Sequence, residues 1–226
     1  MSLKNYVLIV AAGSGSRMKS LLPKQFMELH GQPILLHTLN RFYSYDPTLT
    51  LYVVLHPEFV SYWNDLVRTL QISVPHTIVA GGKERFDSVL NGLNAINDDT
   101  GVVAIHDAVR PFVSLRTLES AFSTARVFGS AVPVLPLSDS LREVKESTSS
   151  VVDRNNFRLV QTPQCFDLAQ LRLAFSQSYQ PFFTDDAAVW EASGRNVVLI
   201  EGNRENFKIT TQEDLRLAEA LFLLKH

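Results

Sequence analysis

The sequence predicts one α/β domain, built on a mostly parallel β-sheet with helices on both faces. The chain has 226 residues, which suits a single large domain. Short apolar runs alternate with longer segments of helical spacing, and the runs have no polar face. Strands that are apolar on both faces indicate a sheet covered by helices on each side. With 46% apolar and 19% charged residues, the chain does not belong to the disordered class.

Six short apolar runs are the predicted strands. They lie at residues 6–10, 51–55, 77–80, 102–105, 131–135 and 197–200. In a sheet of this kind, ligands bind beyond the carboxyl ends of the strands, where the strand order reverses. The residues that follow each run are therefore the first candidates for a functional site.

Apolar residues at helical spacing mark two helices. The sets that share one face are Leu115, Leu118, Phe122 and Ala125, and then Leu215, Ala218 and Phe222. Thr211 and Asp214 precede the second set with the spacing of a capping box. A further, shorter helix is predicted to start after Thr184 and to end before Gly194, because glycine commonly follows a helix end.

Residues 138–152 interrupt the alternation of strands and helices. This segment is polar, rich in serine and poor in core-forming side chains. The residues alone leave two interpretations open. One is a solvated surface loop or hairpin, and the other is a protruding arm that packs on a second subunit.

Charge and cysteine content limit the partners and the compartment. There are 21 basic and 23 acidic residues, so no broad positive field is available for duplex DNA or an anionic membrane. No run reaches the roughly 18 apolar residues that span a bilayer. The lone Cys165 cannot form an intrachain disulfide. We therefore expect a cytoplasmic protein that binds neither nucleic acid nor membrane.

A glycine-containing turn follows the first predicted strand. It comprises Ala11, Ala12, Gly13 and Gly15, small residues whose backbone can approach a polyphosphate closely. The position of the third glycine of the dinucleotide fingerprint is occupied by Met18, and no P-loop pattern is present. Such a turn alone is equally compatible with a purely structural role. Arg17 and Lys24 favour a site for two phosphates of a triphosphate.

The run from Ala11 to Met18, followed by Pro23, Lys24 and Gln25, resembles the cytidylyltransferases that act on 2-C-methyl-D-erythritol 4-phosphate. Six further motifs follow in the order of that family, at residues 81–89, 106–111, 152–155, 161–164, 184–187 and 206–210. The resemblance implies one Rossmann-like nucleotidyltransferase domain over residues 1–226, with a dimerisation arm at about 138–159. The implied reaction transfers CMP from CTP to methylerythritol phosphate and releases pyrophosphate.

The resemblance also implies a nucleotide side of the site. Arg17, Lys24 and Lys208 would be catalytic. Arg17 and Lys24 would neutralise charge on the triphosphate and on the departing pyrophosphate, and Lys208 would neutralise the incoming phosphate and help bridge it toward CTP. The nucleotide-binding residues it implies are Ala11, Ala12, Gly13, Gly15, Gly82, Lys83 and Ser88. Of Lys83 only the backbone is assigned.

A magnesium ion is implied beside the triphosphate, since a carboxylate close to phosphates is repelled unless a hard cation lies between them. The expected ligands are Asp107 and Glu205, the latter standing where the family usually has aspartate. His106 is expected to be a packed histidine rather than a ligand. Cys165 is expected to be a small buried apolar residue.

The implied acceptor side holds the sugar-alcohol phosphate. The substrate-binding residues are Asp107, Arg110, Ser140, Arg154, Thr162 and Lys208. Arg154 and Thr162 would come from the arm of a neighbouring subunit, which makes the protein a homodimer. Ser140 stands in place of a more usual threonine and keeps the hydroxyl.

Three alternatives remain at this point. A cytidylyltransferase for a pentitol phosphate such as ribitol 5-phosphate shares most motifs, but the residues at 10–13 and 88–92 and Asp153 favour methylerythritol phosphate. A hexose-1-phosphate nucleotidyltransferase would have a different sugar-side region. A non-catalytic nucleotide-binding protein would be expected to lack one of Arg17, Lys24, Asp107 or Lys208.

Overall fold

The computed structural model describes residues 4–13 and 22–225. Its strands are β1 (Asn5–Ala11), β2 (Glu28–Leu29), β3 (Gln32–Pro33), β4 (Thr50–Leu55), β5 (Thr77–Ala80), β6 (Val102–Asp107), β7 (Ser130–Pro136), β8 (Leu141–Lys145), β9 (Thr148–Val152), β10 (Arg158–Val160), β11 (Gln164–Asp167) and β12 (Leu199–Glu201). Its helices are α1 (Ile34–Tyr45), α2 (Val60–Thr69), α3 (Arg85–Ala95), α4 (Leu115–Phe128), α5 (Leu168–Ala174), α6 (Asp186–Ala192) and α7 (Gln212–Lys225).

The central sheet has the strand order β10-β7-β11-β6-β1-β4-β5, with β12 paired to β7. Strands β5, β4, β1 and β6 are parallel neighbours, whereas β11 runs antiparallel between β6 and β7. The prediction of a mostly parallel sheet is confirmed. All six predicted strands are present, and β10 and β11 were not predicted.

Both faces of the sheet are covered by helices, as predicted. Along β1, Val7 and Ile9 belong to one apolar core cluster, and Tyr6 and Leu8 belong to another. This alternation follows from the two-residue period of a strand. Helices α1, α2 and α4 pack into the first cluster, and α3, α5 and α6 pack into the second.

The ends of the predicted helices agree with the sequence signals. The Thr211 amide donates to Asp214 Oδ2 at 2.9 Å and the Asp214 amide donates to Thr211 Oγ1 at 3.2 Å, so the capping box is present. Gly194, at φ +83°, lies just beyond α6. One assignment was wrong: Leu115, the first residue of α4, is 46% exposed and lies outside the buried face.

The sheet also positions a crevice. After β5 the chain crosses from one side of β1 to the other, where it forms β6. The order therefore reverses beside β1, and the carboxyl ends of β1 and β6 lie next to each other. This is the place where ligands of such sheets bind.

Strands β8 and β9 form a hairpin that pairs with no other described strand. Nearly all of its side chains are exposed. After the hairpin, β10 returns to the central sheet and pairs antiparallel with β7. The polar segment is thus a projecting hairpin. Within the part of the chain that the structure describes, no helix is long and apolar enough to cross a membrane.

Candidate active site

A cavity of about 530 Å³ opens at the carboxyl ends of β1 and β6. Its lining includes nine of the residues predicted from the sequence. They are Ala11, Ala12, Gly13, Lys24, Gly82, Lys83, Ser88, Asp107 and Lys208. Residues separated by almost 200 positions in the chain therefore meet at one site, because the glycine turn, the segment after β5, the end of β6 and the segment before α7 converge there.

Asp107, the last residue of β6, holds two cationic side chains beside the cavity. Its Oδ2 accepts from Lys208 Nζ at 3.1 Å and from Arg110 Nε at 3.0 Å. Arg110 also donates from Nη1 to the Asn206 carbonyl at 2.8 Å, which ties it to the same segment as Lys208. The Asp107 and Arg110 side chains are each 12% exposed. One carboxylate thereby positions two cations in a largely desolvated place.

The charge state of Asp107 follows from these neighbours. Burial raises the pKa of a carboxyl group, but Lys208, Arg85 and Arg110 outweigh burial and hold the pKa of Asp107 well below its ordinary value. Asp107 is therefore ionised throughout the physiological range. An ionised carboxylate is the form that binds cations, whether side chains or metal ions.

His106 is a packed histidine, as expected. It is fully buried, and its ring lies edge-on to Phe42 with the centroids 4.9 Å apart. Nε2 is 3.0 Å from the Arg110 carbonyl, and Nδ1 is 3.1 Å from Thr162 Oγ1. Burial lowers the pKa of His106 to about 4. The ring is neutral at pH 7 and supports the loop that carries Arg110.

The placement of Thr162 on a neighbouring subunit was wrong. Its Oγ1 accepts from the Asp107 amide of the same chain at 3.1 Å, and the residue is only 5% exposed. The reason lies in the strand register: Gln164 of β11 is opposite Ile105 of β6, so the antiparallel pairing brings residue 162 back to the end of β6. Thr162 supports the Asp107 backbone from within its own subunit.

The turn between β5 and α3 is built for close approach. A Cβ on Gly82 would lie 2.2 Å from Asp87 Cβ, and one on Gly81 would lie 2.6 Å from Ala12 Cβ. Only glycine fits at these two positions. The Gly82 amide donates to Ser88 Oγ at 3.1 Å, and Ser88 Oγ donates to the Glu84 carbonyl at 3.0 Å. Ser88 therefore shapes this turn as well as lining the cavity.

Arg85, the first residue of α3, also lines the cavity, and its role was not predicted. It donates to Asp186 through two parallel hydrogen bonds, Nη1 to Oδ1 at 2.8 Å and Nη2 to Oδ2 at 2.6 Å. Asp186 is fully buried. Burial disfavours the charged guanidinium, but Asp186 outweighs this and raises the pKa of Arg85 above its ordinary value. The pair joins α3 to the start of α6.

Comparison with known proteins identifies the family of this chain. Residues 6–224 match the model of the IspD family, 2-C-methyl-D-erythritol 4-phosphate cytidylyltransferase. The enzyme of that name from Bacteroides fragilis is 47% identical over 214 residues, 95% of this chain and 97% of that protein. The one from Porphyromonas gingivalis is 46% identical over 222 residues, 98% of this chain and 99% of that protein. The Thermus thermophilus crystal structure of the same name is 35% identical, covers 98% of both chains and superposes with a TM-score of 0.75.

The chain belongs to the 2-C-methyl-D-erythritol 4-phosphate cytidylyltransferase family. It is thus a nucleotidyltransferase, as the motifs predicted. The cavity described above is the candidate active site of this cytidylyltransferase.

Two further residues of the cavity were not predicted. Gln25 is buried, and its Nε2 donates to the Ala11 carbonyl at 2.7 Å, which fixes the short 3-10 turn Lys24–Phe26 against the glycine turn. It belongs to the motif that revealed Lys24, so its position was available from the sequence. His56 follows β4 and also lines the cavity. No sequence signal distinguished it.

Several predicted residues are not brought to this cavity by the described chain. Ser140 and Arg154 are exposed at the base of the hairpin, where Arg154 Nη1 donates to the Ser138 carbonyl. Glu205 accepts from Asn203 Nδ2 at 3.0 Å and lines a separate cavity next to Ser114. The positions of Gly15 and Arg17 lie outside the described residues.

Proposed function

We propose that this chain transfers CMP from CTP to 2-C-methyl-D-erythritol 4-phosphate in isoprenoid precursor biosynthesis. The products are 4-diphosphocytidyl-2-C-methyl-D-erythritol and pyrophosphate. The observation that carries the proposal is the charge of the cavity. Its lining holds four cationic side chains against the two carboxylates of Glu84 and Asp107. When the adjoining Arg110 and Asp186 are included, which pair with Asp107 and Arg85, five cations face three carboxylates. A triphosphate together with a monophosphate requires such a concentration of positive charge.

In the proposed reaction, an oxygen of the acceptor phosphate attacks the α-phosphorus of CTP. The bond from this phosphorus to the bridging oxygen of the β-phosphate breaks, and pyrophosphate leaves with the electron pair. The attacking oxygen is already anionic, so the protein needs no general base. The tasks of the protein are therefore to position the two substrates and to neutralise the negative charge of their phosphates. We assign these tasks to Lys24 and Lys208, and also to Arg17, which lies outside the described residues.

The nucleotide is proposed to lie between the two glycine turns. The backbone of Ala11, Ala12 and Gly13 would face the phosphates, while the backbone around Gly82 and Lys83 would face the cytosine edge. The tight packing of the second turn supports this assignment, because a rigid turn presents fixed backbone groups. Fixed partners for the pyrimidine edge disfavour purines, whose binding would leave buried polar groups unpaired.

Mg²⁺ is proposed as the cofactor, held mainly by the phosphates of the nucleotide. No group of three or more metal-binding side chains occurs among the residues that the structure describes. Asp107, ionised and lining the cavity, fits a hard cation that takes one carboxylate and several phosphate oxygens. When bound, such an ion supplies neutralisation of the triphosphate charge. The position of Glu205 in a separate cavity argues against a ligand role for it.

The acceptor phosphate is proposed to bind on the side of Arg110, Lys208 and Thr162. Ser140 and Arg154 would complete this side from the hairpin of a second subunit, since in their own chain they lie outside the cavity. Support comes from the hairpin's exposed apolar residues: Val144 is 71% exposed and Val151 is 75% exposed. Such residues suit contact with a partner. We therefore propose a cytoplasmic homodimer.

The test is pyrophosphate release from CTP and Mg²⁺ in parallel reactions with methylerythritol phosphate and ribitol 5-phosphate. We expect release with methylerythritol phosphate only. Release with ribitol 5-phosphate only would support cytidylyl transfer but refute methylerythritol phosphate as the acceptor. No release with either, although CTP binds, would refute the activity itself.

A further inference from the structure

A second cavity, of about 540 Å³, lies behind the loop at residues 108–113. It is lined by α1, by Pro111 and Phe112 of that loop, and by Phe222 of α7. It shares no lining residue with the candidate active site. We call it the rear cavity.

One side of the rear cavity is apolar and aromatic. The Phe222 ring stacks on His30, with the centroids 4.4 Å apart, and meets the His37 ring edge-on at 5.1 Å. Phe112 packs near Phe207, with the centroids 6.1 Å apart. These contacts hold the rings of Phe222 and Phe112 in place, so the apolar wall is preformed.

The other side carries the guanidinium of Arg41. Arg41 Nε donates to the Val113 carbonyl at 2.5 Å. Burial lowers the pKa of Arg41, and no carboxylate of the described residues opposes that shift or forms an ion pair with it. Three other partly buried arginines, Arg85, Arg110 and Arg172, each meet an aspartate. A partly desolvated cation without a counter-charge is unusual in a folded protein.

We infer that the rear cavity binds a small organic anion, with a phosphate or carboxylate group on Arg41 and a short apolar chain against Phe112 and Phe222. A guanidinium pairs with either anionic group through two parallel hydrogen bonds. Asn40, which also lines the cavity, adds a neutral donor beside it. A few convergent polar groups facing an apolar wall are the usual features of a small-molecule site.

The occupant would lie against the loop that leads away from Asp107. Helix α1 supports that loop twice, through Arg41 on the Val113 carbonyl and through Thr38 Oγ1, which donates to the Ala108 carbonyl at 2.8 Å. The same loop lines both cavities, since Ala108 and Val109 line the active site and Pro111 and Phe112 line the rear cavity. The two cavities remain distinguishable by mutation because they share no residue.

The proposal can be tested by isothermal titration calorimetry of the full chain with n-butyl phosphate, butyrate, butanol and inorganic phosphate. We expect one-to-one binding of butyl phosphate or butyrate, and the stronger of the two identifies the anionic group. Butanol lacks the charge and inorganic phosphate lacks the chain, so both should bind at least tenfold more weakly. No binding of either organic anion, or equal binding of inorganic phosphate, would overturn the proposal.

Variants then locate the site. Arg41→Gln keeps a donor at the position of Nε for the Val113 carbonyl but removes the charge, and should weaken binding at least tenfold. Ser44→Glu places a carboxylate one helical turn from Arg41 at an exposed position, and should block the site without affecting folding. Ser44→Ala is its matched control and should keep binding. If Lys24→Ala weakens binding and Ser44→Glu does not, the anion binds in the active site and the inference is wrong.

Discussion

Lys208 is the residue whose removal should reduce turnover most clearly. It pairs with Asp107 at the cavity, and its loss would take positive charge from the triphosphate and from the acceptor phosphate at once. We expect Lys208→Ala to lower kcat by about 10²- to 10³-fold, the usual effect of removing one group that stabilises transition-state charge. Lys83→Ala is the matched control, since it removes one positive charge from the same cavity at a residue of which only the backbone is assigned to the nucleotide, and it should cost much less. Equal losses in both variants would refute the specific role of Lys208.

The lowered pKa of His106 predicts how the stability of the protein depends on pH. Burial lowers its pKa to about 4 in the folded state, while an unfolded histidine titrates near 6.5. Between these values the unfolded chain binds more protons, so the free energy of unfolding falls as the pH falls from about 6.5 to about 4. The linked loss is about 3 kcal/mol. Urea unfolding at several pH values measures the free energy of unfolding, and NMR titration of the His106 ring measures its pKa in the folded protein. A ring that titrates near 6.5 in the folded protein would contradict the prediction.

At the scale of elements, the Arg85–Asp186 pair joins the amino ends of α3 and α6. Asp186→Asn removes the charge that balances a guanidinium within the fold, and breaking such a pair costs about 3 kcal/mol. The exposed Arg68–Asp65 pair offers a control, because Asp65→Asn should change stability by less than about 1 kcal/mol. Chemical denaturation compares the two. If Asp186→Asn has no larger effect than Asp65→Asn, the pair does not hold these helices together.

The elements also show how far sequence reasoning extends. The strands covered on both faces were predictable because an unbroken apolar run places apolar side chains on both faces of a strand, which indicates that both faces are buried. The α7 capping box was predictable because its two residues are close in sequence. Strands β10 and β11 were missed because their residues are mixed in polarity and are paired by neighbours distant in sequence. The same limit applies to Arg85 and Asp186, which are 101 positions apart. Motif resemblance found the cavity residues, but only the strand register showed that Thr162 lies against Asp107 of its own chain.

At the scale of the whole molecule, the proposed dimer would make the β8–β9 hairpin part of the partner's active site. The hairpin pairs only with itself among the described strands, so replacing residues 141–152 by a short Gly-Ser linker should leave the fold intact. We expect the shortened chain to be monomeric by light scattering and to have lost turnover, because Arg154 of a partner would no longer be placed at the acceptor side. A shortened chain that is monomeric and active would contradict a site shared between subunits.

Mixing two inactive variants tests the shared site without altering the hairpin. Lys208→Ala and Arg154→Ala should each be nearly inactive alone. If Arg154 acts on the partner's cavity, a mixed dimer contains one cavity with both native residues and one with neither. Complete exchange of equal amounts should then restore about a quarter of wild-type activity, since half of the dimers are mixed and each has one intact site. If Arg154 served its own subunit, every cavity in the mixture would lack one residue and no activity would return.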